Sequence, residues 1–184
     1  MKIRLFIALI LGDETLDHIN NFRESIYADD GKTRWESREK LHITLKFIGG
    51  VEEEVIPLIA EELGSVLKNY NKIKINFSKF GIIKKYSEPK ILWLGIKCSE
   101  LLEKLYNDID NVLTDIGFEK ERRKFKPHLT LLRIKRNADI NKLEDLLNSK
   151  IDFPGTFAEE VALIKSELLA GGSVYTKIKS FKLK

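Results

Sequence analysis

The sequence predicts a mixed α and β fold built from one strand–helix–strand unit used twice, and three observations point there. Two short stretches nearly repeat each other: Leu41-His42-Ile43-Thr44-Leu45 and Pro127-His128-Leu129-Thr130-Leu131. The two histidines stand 86 residues apart (128 minus 42), and a shift of that interval superposes other segments of the chain. Finally, apolar strand-like runs and helix-spaced runs alternate through both halves, with no Pro/Gly/Ser-rich linker between them.

The first strand is the apolar run from Arg4 to Ile10, which the shift places on Lys90 to Ile96. A short apolar run followed by Asp13-Glu14, with no small-residue cleavage site, reads as a buried strand and not as a signal peptide. Asp13 then falls on Ser99, two good N-cap residues, and Leu16 and Ile19 fall on Leu102 and Leu105. Helices are predicted over 13–27 and 99–116, the second showing Leu102, Leu105, Tyr106, Ile109 and Leu113 at helical spacing and Gly117 as its stop. The His-Thr stretches follow as strands. Further helices are predicted over 52–69 and 138–149, where the repeat register slips, then strands over 73–80, 160–169 and 173–181. The chain reads as a single bilobal domain, residues 1–184, with repeat halves of about 1–86 and 87–184.

Composition narrows the function classes. Apolar residues make up 43% of the chain, ordinary for a globular protein, and no apolar run approaches the ~18 residues of a membrane span. Cys98 is the only cysteine, so neither an internal disulfide nor a cysteine metal cage is available. A reduced, cytoplasmic setting fits. A net charge of +4 leans mildly toward anionic partners. Charged residues at 33%, with one Cys and one Met, match a thermophile-like composition.

A strand alternates faces with period two, so His42 and Thr44 share one face while Ile43 points into a core, and likewise for His128, Thr130 and Leu129. Duplication about a pseudo-two-fold axis brings equivalent residues together, so the two histidines are expected to face each other across a cleft. In-line displacement at phosphorus needs a base on one side and an acid on the other. Imidazole, titrating near pH ~6.5, supplies both roles around neutrality. Threonine hydroxyls aimed at the non-bridging oxygens stabilise the charge that develops there. His18, in the first helix with no partner motif, is expected to be solvated.

Arg133 lies three residues beyond Thr130 and is a candidate phosphate contact; Lys46 shares the predicted face of His42 and Thr44. The run Arg122-Arg123-Lys124 reads as a solvated basic loop near the cleft. Phe47, Phe125, Tyr86, Trp93 and Tyr175 are candidates for stacking on a base, with nothing in the sequence to choose among them.

The chain resembles the two-histidine (2H) phosphoesterases. Within them it is most similar to the archaeal and bacterial RNA 2′,3′-cyclic phosphodiesterases, the LigT-like group first described as 2′-5′ RNA ligases. The likeness runs through Arg4 to Leu9, Trp35 with Leu41 to Gly49, Pro89 to Gly95, Phe125 to Leu131 with Arg133, and Ser166 to Leu168 with Gly172, Tyr175, Phe181 and Leu183. The resemblance implies a bilobal α+β fold with antiparallel-rich sheets lining a central cleft, no metal and no cofactor. It implies that His128 accepts a proton from water and His42 donates one to the departing ribose 3′-oxygen, leaving a 2′-phosphate. Thr44 and Thr130 then bind the phosphate; Arg133, Tyr175 and Lys46 stay candidate substrate contacts read from the residues themselves. The implied partner is RNA with a 2′,3′-cyclic phosphate end, tRNA fragments among them, met by a monomer with no membrane attachment. Leu11-Gly12-Asp13 stands where the group has a Pro after the first strand, a difference expected to alter a turn and not the chemistry.

Three alternatives remain open at this level. They are reversible 2′-5′ joining of RNA ends, cleavage of small cyclic or 2′-5′-linked nucleotides, and, from another class, a non-catalytic RNA-binding module.

Overall fold

The computed structural model describes residues 2–26, 34–86, 88–134, 145–148, 151, 153–170 and 172–184. Strand β1 (Ile3–Leu11) leads into helix α1 (Asp13–Ile26), whose first turn is held by Leu16 N–H donating to the Gly12 carbonyl at 3.2 Å. Asp13 is therefore the first helical residue, and Gly12 takes the capping position. Strand β2 (Arg34–Trp35) and a 3₁₀ turn at Arg38–Lys40 precede β3 (His42–Val51). The predicted helix over 52–69 is a 3₁₀ turn at Glu53–Val55 followed by α2 (Ile56–Leu67), with Ile59, Leu63 and Leu67 buried one turn apart.

The strand predicted over 73–80 is two strands. β4 (Ile73–Ile75) pairs with one sheet and β5 (Phe77–Lys85) with the other, so Asn76 alone separates strands belonging to different layers. After β6 (Glu88–Ile96), α3 (Glu100–Asp115) starts at Ser99, whose Oγ accepts from Leu102 N–H at 3.2 Å, and ends before Gly117 in the left-handed conformation (φ 96°). β7 (His128–Arg133), β8 (Thr156–Leu169) and β9 (Gly172–Lys182) complete the order. Of the helix predicted over 138–149, residues 145–148 are helical and the rest lies outside the described residues, as does Tyr27.

The strands form two antiparallel sheets. The first runs β3-β1-β8, with both β4 and β9 on the far edge of β8; the second runs β2-β7-β6-β5. The first sheet thus draws β1, β3 and β4 from before residue 86 and β8 and β9 from after it. One apolar core spans both sheets and the helices. It takes Ile7 and Leu9 from β1, Ile43 from β3, Leu92 and Leu94 from β6, and Leu129 from β7. Ile59 of α2, with Leu105 and Ile109 of α3, packs against them. Burying each such side chain favours folding by about 1.5–3 kcal/mol. A small second cluster, Phe6, Ala8, Ala162 and Ile164 with Tyr175 against it, covers the opposite face of the first sheet.

The duplication is visible in strand pairing, with one correction. Ala8 pairs with Thr44, and Trp93 with Thr130, so β1 corresponds to β6 at an interval of 85 residues and not 86. Phe6 accordingly matches Ile91, not Leu92, which preserves the faces: Ile7 and Leu92 both enter the main core. The connection to the helix also differs in length, with Gly12 alone in the first half and residues 97–99 in the second.

Candidate active site

β3 lies at the edge of the first sheet and β7 lies inside the second, and the two strands meet where the sheets adjoin. Ile43 and Leu129 are fully buried, which leaves His42, Thr44, His128 and Thr130 on the other faces. All four line one cavity of about 380 Å³.

Each strand then breaks its own alternation. Ile7 pairs with Lys46 and Ala8 with Thr44, so Leu45 is the extra residue of a bulge; Leu92 pairs with Leu132 and Trp93 with Thr130, so Leu131 is another. The two bulges are 86 residues apart (131 minus 45). A bulge reverses which residues face which side beyond it. Lys46 is therefore turned to the helix side, buried, with Nζ donating to Asp110 Oδ1 at 2.5 Å and to the Glu119 carbonyl at 2.7 Å. It does not line the cavity, and its expected place there is corrected. Phe47 and Arg133, the next residues along, are returned to the cavity instead.

His128 is oriented from two residues upstream. His128 Nδ1 lies 2.8 Å from the Lys126 carbonyl. A carbonyl only accepts, so Nδ1 carries the proton and Nε2 is left for chemistry. His42 Nδ1 is sealed from solvent, and the carbonyl of Lys40 favours its protonation, although the alignment falls short of a regular hydrogen bond. The His42 ring is packed by Phe6 (5.0 Å between centroids, 31° between planes) and by the edge-on ring of Tyr175 (5.6 Å, 74°). Burial pushes the His42 pKa from 6.5 down to about 4; the Lys40 carbonyl opposes the shift, and the nearby His128 adds to it. His42 is thus neutral at pH 7 when the cavity holds no anion.

Trp93 meets His128 edge-on at 6.0 Å. Its ring lies across Gly81 and Gly95, where an added Cβ would come within 2.0 Å and 2.9 Å of it. Arg133 Nε lies 2.5 Å from Oε1 of the buried Glu36. Glu36 is itself tied down by its N–H donating to the Leu131 carbonyl at 2.8 Å and by Arg23 donating to its own carbonyl.

Of the stacking candidates, Phe47 and Tyr175 line the cavity. Phe125 stacks instead on Tyr106 (4.1 Å, 11°), Trp93 sits behind His128, and Tyr86 is exposed just past the end of β5. Arg122, Arg123 and Lys124 are exposed and do not line the cavity; Arg123 pairs with Glu121. His18 is exposed, as expected. Sequence reasoning missed Arg4, Phe6, Glu36 and Lys40 in the wall. A signal for Lys40 was present, since Lys40-Leu41-His42 and Lys126-Pro127-His128 extend the repeat upstream.

Two imidazoles, each followed by a threonine on the same strand face and gathered into one cavity by adjoining sheets, define a two-histidine phosphoesterase. The chain belongs to the 2′-5′ RNA ligase superfamily, which matches residues 13–168. It is 29% identical to the RNA 2′,3′-cyclic phosphodiesterase of Methanothermobacter thermautotrophicus, over the whole of both chains. It is 32% identical to the protein of the same name from Thermotoga maritima, over 94% of this chain and 91% of that one. A crystal structure of a Thermus thermophilus protein shares the fold with a TM-score of 0.76 at 21% identity, covering 98% of this chain and 97% of that one. E. coli LigT complexed with 3′-AMP does so at 0.72 and 23%, covering 100% and 99%. Among the described residues, no helix is long and apolar enough to cross a membrane.

Proposed function

We propose that the chain hydrolyses RNA 2′,3′-cyclic phosphate ends to 2′-phosphomonoesters. The observation that carries this reading is the convergence of both His-Thr strands on one cavity of about 380 Å³. The relatives that bear the name RNA 2′,3′-cyclic phosphodiesterase support the substrate class.

Water attacks phosphorus as His128 Nε2 takes its proton. The bond from phosphorus to the ribose 3′-oxygen breaks on the opposite side, and His42 gives that oxygen a proton. Thr44 and Thr130 donate to the non-bridging oxygens, where preorganised donors act most strongly on developing charge. His42 must be protonated to serve as the acid. The negative phosphate supplies the condition, because an opposite charge beside a buried imidazole raises its pKa. Substrate binding thus arms the acid that the empty cavity keeps neutral. No metal has a part in this scheme.

We further propose that residues 1–184 act as one bilobal, monomeric unit in the cytoplasm and that tRNA fragments are among its substrates. The name of the superfamily favours a second reading, reversible 2′-5′ joining, in which the 5′-hydroxyl of another RNA replaces water. End-group analysis of an oligonucleotide bearing a 2′,3′-cyclic phosphate decides. A 2′-phosphate is expected; a 3′-phosphate, or an unchanged end, overturns the reading.

A further inference from the structure

We propose that a smaller cavity adjoining the histidine site holds the nucleotide on the 5′ side of the cyclic end, so that the protein reads the last two residues of an RNA. The inference rests on the reading of the histidine cavity as an RNA-end site and adds a second subsite to it. The cavity has a volume of about 160 Å³. Trp35, Ser37 and Gly172 line it without lining the histidine cavity, while Lys40, Arg133 and Tyr175 belong to both. It therefore opens off the site through a boundary that carries two cations, the Glu36 carboxylate and an aromatic ring.

Covalent chemistry dictates what crosses that boundary. A ribose whose 2′ and 3′ oxygens are closed on one phosphorus can continue the chain only through its 5′ oxygen. The next group is a phosphodiester with one negative charge, followed by another ribose and base. The charged side chains on the boundary are Lys40, Arg133 and Glu36, which sum to one positive charge. Glu36 holds the Arg133 Nε, and the terminal amino groups of the guanidinium remain as donors. Lys40 Nζ is held over the Tyr175 ring, 5.9 Å from its centroid. The boundary is thus a fixed, singly positive collar of the charge a linking phosphate needs, and the small cavity beyond suits the base or sugar that follows.

Binding energy from the remote nucleotide is expected to appear as a gain in kcat/KM for longer substrates, of roughly 10- to 100-fold. The test compares 2′,3′-cyclic AMP with ApA bearing a terminal 2′,3′-cyclic phosphate, for the native chain, Ser37→Asp and Ser37→Ala. Ser37 is exposed; its Oγ donates to the carboxylate of Glu39 and makes no cap hydrogen bond to the following 3₁₀ turn, so Ser37→Ala removes only that surface contact. The expected result is a dinucleotide preference that Ser37→Asp abolishes by repulsion and Ser37→Ala keeps, with turnover of the cyclic mononucleotide unchanged in both. Equal kcat/KM for the two substrates in the native chain overturns the subsite alone. So does an equal loss on both substrates in Ser37→Asp. Turnover of neither substrate by the native chain overturns the RNA-end reading itself, and the subsite with it.

Discussion

Phe47 and Arg133 occupy the same position in two bulged strands, 86 residues apart (133 minus 47), each turned back into the cavity by the extra residue after the threonine. The duplicated scaffold thus offers two equivalent places beside the threonine hydroxyls and fills one with an aromatic ring and the other with a guanidinium. Arg133→Ala is expected to raise KM for a cyclic-phosphate substrate about tenfold or more and to flatten its salt dependence. Phe47→Ala is expected to weaken binding without changing that dependence. Steady-state kinetics at two ionic strengths distinguish the two, and an unchanged salt dependence in Arg133→Ala would falsify the phosphate contact.

The two histidines carry the chemistry in the proposed mechanism. Loss of either one, as His42→Ala or His128→Ala, is expected to lower kcat by up to ~10⁴-fold, the upper end for a positioned acid or base. Thr44→Val and Thr130→Val keep shape and remove one donor each, with an expected loss of about 10²-fold. A non-catalytic RNA-binding module would bind the oligonucleotide and show no turnover to lose. Treatment with EDTA is expected to leave the native rate unchanged. A rate abolished by EDTA and restored by a divalent ion would overturn the metal-free scheme.

The pH behaviour follows from the half-buried ring of His42, whose Nδ1 is sealed from solvent. The folded chain leaves it unprotonated down to about pH 4, whereas the unfolded chain takes up the proton near 6.5. Its contribution to stability is therefore fully present above pH 6.5 and lost as pH falls toward 4, by about 3 kcal/mol once the window is crossed. Urea unfolding in phosphate-free buffer should show the native chain losing this stability relative to His42→Asn between pH 6.5 and 4. The His42 resonance should titrate near pH 4 in the free protein and move upward when inorganic phosphate is added. In kinetics, kcat should persist to higher pH than kcat/KM, because the substrate phosphate raises the acid's pKa. Coincident alkaline limbs would count against arming by substrate.

How much of this was legible in the sequence depended on how local the determinant was. His42, Thr44, His128 and Thr130 were legible because two residues of a regular strand share a face and the interval between the motifs is plain. The placement of Lys46 was not, because period-two alternation carries no sign of the bulge at Leu45, which pairing with β1 creates. For the same reason Ile73, Ile75 and Phe77 read as one uninterrupted alternating strand. The switch of partner sheet at Asn76 depends on distant strands β8 and β6. Phe47 and Tyr175 could not be told from Phe125 and Trp93, since an aromatic ring packs equally well in a core and on a cavity wall.

Trp93 gives the site a sensitivity to glycine substitution some way from the chemistry. Its ring rests on Gly81 and backs His128, so Gly81→Ala forces the ring to move. The expected cost is about 1–3 kcal/mol of stability, as for an overpacked core, together with a fall in kcat from displacement of the imidazole. Thermal unfolding and kinetics on the same sample check both. A destabilised variant with native kcat would show that Trp93 does not hold His128.

The buried pair of Lys46 and Asp110 separates a structural role from a substrate-binding one. Asp110 accepts from Lys46 Nζ and also from the N–H of Glu121, at 3.2 and 3.3 Å, tying the segment after α3 to the back of β3. Removing one member of a buried pair strands the other, so Lys46→Met is expected to cost about 3–5 kcal/mol. Replacing both with apolar residues, as Lys46→Met with Asp110→Leu, is expected to recover much of that loss, because no unpaired charge remains. A direct phosphate contact predicts the reverse pattern, a large rise in KM with little change in stability. Urea midpoints of the native, single and double variants, with KM measured on the folded fraction, tell the two apart: KM should stay near native throughout while the midpoint falls and then rises.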